Sequence, residues 1–138
     1  MKTLLAFFYN NLEFLYLDPR YRITNSTTAG RADDRATLTI TGPVLTVGLD
    51  IDRQQVSFVV APTELLTPQN WFRVPMVRQF LDGYDESQNV PAKETAAWLR
   101  DNVARVEALF DGSVAAESVA QLAALRKANA DKWFGPGQ

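Results

Sequence analysis

The chain has 138 residues, 46% hydrophobic and 22% charged, with 14 basic against 16 acidic residues for a formal charge of −2, and it contains neither histidine nor cysteine. Those missing types exclude Ser-His and Cys-His catalysis, zinc sites and disulfide frameworks, and leave carboxylate, lysine, tyrosine or hydroxyl chemistry open. Charge of both signs is spread along the chain without a basic stripe, which speaks against a nucleic-acid partner, and the length suits one domain burying roughly two thirds of its unfolded surface.

The first residues, Met1 to Tyr9, imitate a secretory signal because Lys2 precedes an apolar run. The run is short, passes into Asn10-Asn11 and has no small-residue cleavage site behind it, so no signal peptide is expected. No stretch approaches the roughly 20 apolar residues of a membrane span. A cytoplasmic protein is the expectation, and the lack of cysteine agrees with a reducing compartment. Leu5, Phe8, Leu12 and Leu15 recur at helical spacing, and Pro19 ends the pattern. Leu4, Phe7, Phe14 and Leu17 widen that face, so the helix needs cover from its own sheet or from a second copy.

Arg20, Arg22, Arg31 and Arg35 cluster next, interleaved with Asp18, Asp33 and Asp34, which reads as a solvated segment. From Tyr21 to Pro62 the period becomes two. Tyr21 to Thr28 is a first strand, and Leu38 and Ile40 alternate with threonines before Gly42-Pro43. Leu45, Val47, Leu49 and Ile51 alternate with Thr46, Gly48, Asp50 and Asp52, and after Arg53-Gln54 the pattern resumes in Val56, Phe58 and Val60. This predicts an antiparallel meander of three or four strands with one buried face and one threonine-rich, charged face.

Helices follow. Thr67-Pro68 opens a turn holding Trp71 and Phe72, then Pro75 starts a short helix that Gly83 stops. After a polar loop from Asp82 to Pro91, Leu99, Val103, Val106 and Phe110 mark an amphipathic helix from Ala92 to Asp111-Gly112. A last helix runs from Ser113 or Val114 to Trp133 on Val119, Leu122 and Leu125, with Arg126, Lys127 and Lys132 placed where positive charge suits the helix dipole. The predicted fold is α+β: an N-terminal helix, the meander, then two or three C-terminal helices covering one sheet face, with one domain over 1–134 and a flexible tail over 135–138.

Few residues suggest chemistry. Asp50 and Asp52 leave one strand on the same face, a geometry that a metal or an acid-base pair would need, but two ligands are too few for calcium or magnesium and solvent-face patterning explains them. Asp82-Gly83-Tyr84-Asp85-Glu86 lacks the ligand alternation of a calcium loop and offers instead an acidic surface for a basic partner. Trp98 is read as core, whereas Trp71-Phe72 is either a recognition pair or a plug over the sheet edge. The glycines do not fall at phosphate-loop spacing, and no Ser-x-x-Lys is present. No catalytic residue, cofactor or metal is assigned.

The segment Ile51 to Phe58, followed by Trp71-Phe72, the short helix from Val77 to Gly83 and the Leu109-Phe110 helix end, resembles a group of small bacterial α+β proteins of unassigned function. Their second hairpin carries an Asp-Arg-Gly-Gln-like turn. Here Gln54 stands at the glycine position, which predicts a different loop type. The resemblance implies likeness to immunity proteins of bacterial toxin systems, which cover a toxin and need no catalytic residues. The leading expectation is therefore a non-enzymatic interaction module, of immunity or antitoxin type, binding one basic protein partner through Asp50, Asp52, Trp71, Phe72, Asp82, Asp85 and Glu86. A homodimer through the N-terminal helix is the alternative. A third reading is a carboxylate-dependent enzyme or small-ligand carrier, whose mark would be a cleft holding two carboxylates from different elements.

Overall fold

The computed structural model describes residues 1–30 and 35–135. Arg31, Asp33 and Asp34 of the mixed-charge segment, and 136–138 of the expected tail, lie outside the described residues. The predicted first helix is divided into α1 (Lys2–Asn11) and α2 (Glu13–Tyr16) at Leu12, whose φ of −124° and ψ of 32° leave helical geometry. The break turns the apolar face. Leu4, Phe8, Leu12 and Leu15 are buried together, whereas Leu5, expected on that face, is exposed, and so is Leu17.

Five antiparallel strands follow in sequence order: β1 (Arg22–Ala29), β2 (Arg35–Thr41), β3 (Leu45–Asp52), β4 (Gln55–Pro62) and β5 (Phe72–Arg73). The short β5 adds a strand where the sequence suggests only a turn. Register sets Leu38 opposite Leu49 and Leu49 opposite Phe58, and it aligns Ile40, Val47, Val60 and Phe72 in the next row. This apolar face carries the core. Because side chains alternate, Thr37 and Thr39, Gly48, Asp50 and Asp52, Ser57 and Val59, and Arg73 share the opposite face.

Asp52 pairs with Gln55, so Arg53 and Gln54 form a two-residue connection with φ of 52° and 71°. The expectation of another loop type is thus corrected. The twist of the flanking strands favours a turn with both central residues left-handed, and the long β3–β4 ladder outweighs a side-chain penalty of about 1 kcal/mol at each.

Three helices close the order: α3 (Val74–Asp82), α4 (Ala92–Leu109) and α5 (Ala115–Phe134). Pro75 lies in the first turn of α3, and Gly83, at φ 70°, donates its amide to the Gln79 carbonyl as a left-handed cap. α1 packs on β2, β3 and α4, while α3 and α4 pack on β4. Val106, Phe110 and Leu122 join the strands in one apolar cluster. Tyr21, buried just before β1, donates its hydroxyl to Glu107 Oε2 at 2.7 Å, and Arg20 lies 3.3 Å from the same oxygen. Burial, and next the bond to Glu107, push the Tyr21 hydroxyl pKa well above its ordinary value. Among the described residues, no helix is long and apolar enough to cross a membrane.

Candidate functional site

The fifth strand is too short to cover the fourth. β5 pairs with Val59 and Val60, and among the described residues no strand pairs with the outer side of Gln55 to Phe58. In a two-residue hairpin the residues flanking the turn are a hydrogen-bonded pair, and bonding alternates from there. Asp52–Gln55 and Asp50–Ser57 therefore bond inward, and the amide and carbonyl groups of Val56 and Phe58 face the open side. They open onto a crevice of about 660 Å³ between the strand edge and the segment before α4, with Asp50, Asp52, Arg53, Arg73, Gln88 and Asn89 among its lining residues.

A second, smaller hollow of about 240 Å³ lies on the sheet face opposite the core. Its floor is Gly48, its walls are Trp71, Val59, Thr37 and Thr39, and Asp50 belongs to both cavities. A Cβ on Gly48 would come within 2.9 Å of Val59 Cγ2 and 3.2 Å of Trp71 Cζ3, so the absent side chain is what lets the indole lie against the sheet. Arg126 of α5 fixes the segment that carries this ring. Its guanidinium donates to the carbonyl oxygens of Trp71 at 3.2 Å and Gln69 at 3.0 Å, and stacks over Phe72 at 4.8 Å.

The expected contact residues separate into three groups. Asp50 is half-buried and Asp52 exposed, and among the described residues neither carboxylate forms a side-chain hydrogen bond or ion pair. Trp71 and Phe72 point to opposite faces: Trp71 walls the hollow, whereas Phe72 is only 1% exposed and belongs to the core. The acidic stretch is folded back on the helices. Asp82 pairs with Arg105 at 2.9 Å and accepts the Trp98 indole N–H at 3.1 Å, and these two bonds, Arg105 first, hold its carboxyl below the usual range. Asp85 accepts the Ser87 hydroxyl and amide, with the same effect on its pKa, and Glu86 accepts the Trp133 indole N–H at 3.3 Å. Between them, Tyr84 lies under Arg78, 4.0 Å from ring centre to guanidinium.

Asp50 and Trp71 are separate candidates along the sequence, and the sheet brings them to one hollow. Gly48, Arg73 and Arg126 are not singled out by sequence pattern as site residues. The signal for Gly48 is present all the same, since a glycine between Thr46 and Asp50 on an alternating strand marks close approach of another group. The clamp made by Arg126 has no local signal. No group of three or more potential metal-ligating residues occurs among the described residues. No protein-family model matches the chain, and no curated protein or solved structure matches it.

Proposed function

We propose that the chain is a non-enzymatic, cytoplasmic interaction module that takes an extended segment of one protein partner along the uncovered half of β4. The observation that carries this reading is the unpaired edge at Val56 and Phe58, opening onto the polar crevice. An added strand would continue the line of β5, and main-chain bonds supply affinity in such pairing while flanking side chains select sequence. The crevice carries Asp50 and Asp52 beside Arg53 and Arg73, so its lining suits a polar segment with charges of both signs. An immunity-type inhibitor is one form such a module takes, because covering a partner needs no catalytic group. The two carboxylates belong to one strand, so the mark of the enzyme reading is lacking at this site. The apolar stripe of α1 is used on β2, β3 and α4, which lowers the weight of a dimer through that helix.

The test is selection of random linear peptides on the wild-type protein, followed by affinity measurement on Val56→Pro and Val56→Ala. Proline removes the outward amide without breaking a β3–β4 bond, whereas alanine keeps it at a similar packing loss. Selected peptides are expected to bind wild type and Val56→Ala alike and Val56→Pro about ten-fold or more weakly. Equal binding to all three, or no selected peptide at all, overturns the reading.

A further inference from the structure

The hollow around Gly48 combines three features that suit one kind of side chain. Trp71 offers an aromatic wall, and Gly48 and Val59 offer an apolar floor and side. Asp50, two residues along β3 on the same face, adds a carboxylate residue to the lining. The cations nearest in register are Arg73, opposite Val59, and Arg35, opposite Asp52, and neither makes an ion pair with Asp50 among the described residues. An apolar occupant would leave that carboxylate without a partner. A cationic one would satisfy it.

We propose that the hollow is a pocket for an arginine side chain of the partner, its guanidinium plane against the Trp71 indole and its N–H groups donating to the Asp50 carboxylate. Arginine fits better than lysine because a planar, weakly hydrated guanidinium both stacks on an indole and forks onto a carboxylate. The wall is preset, since Arg126 holds the Trp71 carbonyl and the missing side chain of Gly48 lets the ring rest against the strand. This pocket rests on the interaction-module reading, and Asp50 links the two because it lines both the crevice and the hollow.

The experiment is an NMR titration of the isotope-labelled full chain with acetyl-arginine-amide, the neutral citrulline analogue and the lysine analogue, read at the Gly48 amide and the Trp71 indole N–H. Arginine is expected to shift both signals saturably in the millimolar range, citrulline to leave them in place, and lysine to bind several-fold more weakly than arginine. Asp50→Asn, near-isosteric and on the open face, should weaken arginine binding about ten-fold, and Gly48→Ala should abolish the shifts by displacing the indole from the strand. Absent or unsaturable shifts with arginine, equal shifts with citrulline or lysine, or unchanged affinity in Asp50→Asn overturns the proposal. The single-residue probe cannot pair with β4, so the two readings fail separately. Val56-dependent peptide binding without an arginine shift removes the pocket alone, and an arginine shift without selected peptides removes the module and leaves the pocket.

Discussion

The two edges of the sheet are built in opposite ways. At one edge, all eight residues of β1 are exposed, and among the described strands β2 is its one neighbour. At the other, β5 has two residues, yet Phe72 is buried to 1%, clamped from behind by Arg126 and continued directly into α3. The long strand is held by backbone bonds and by threonine pairs, Thr24 with Thr41 and Thr27 with Thr37. The short strand is held by core packing. Length of pairing and depth of packing are thus separate properties, and the edge packed into the core is the one that borders the crevice and the hollow.

Substitutions at the two edges should therefore differ widely. Phe72→Ala has the largest expected effect, a loss of about 3–5 kcal/mol in urea unfolding, because it empties the junction of β4, β5 and α5. A loss near 1 kcal/mol would show that this edge is no better anchored than the other.

Tyr21→Phe comes next, at about 1–2 kcal/mol, since it strips the hydroxyl that ties the root of β1 to Glu107. Its sign with pH is fixed by the raised folded pKa: the contribution is whole below the unfolded value of about 10 and declines as pH rises past it toward the folded value. Wild type should lose stability between about pH 9 and pH 11 more steeply than Tyr21→Phe, as measured by urea midpoints. Parallel curves would mean that β1 is not anchored through that hydroxyl.

Thr27→Ala should have the smallest effect, within about 0.5 kcal/mol, because its side chain is exposed and its bond to Thr37 competes with water. A larger loss would make the threonine ladder a structural element in its own right and erase the contrast between the edges.

Several features of the fold are legible in the amino-acid order itself. Strict alternation through Leu45 to Asp52 sets Asp50 and Asp52 away from the core, and the meander's register agrees with that face. Pro75 and Gly83 mark the limits of α3, because each acts through local backbone geometry. Errors arise where local pattern meets distant packing. Leu5 fits a helical stripe as well as Leu4 does, but the break at Leu12 and the docking of α1 on β2 and β3 choose Leu4. Arg126 reads as a dipole-compatible charge on its own helix, and its partners are carbonyl oxygens far away in sequence.

Composition and periodicity, each a property of short windows, are enough to exclude histidine and cysteine chemistry and to set an α+β order of helix, strands and helices. The pairing of β5 with Val59 and Val60, the free edge beyond it, and the meeting of Trp71, Gly48 and Asp50 are decided only by the folded chain. Such features depend on contacts between segments that no local spacing connects, and on how much of one strand another happens to cover.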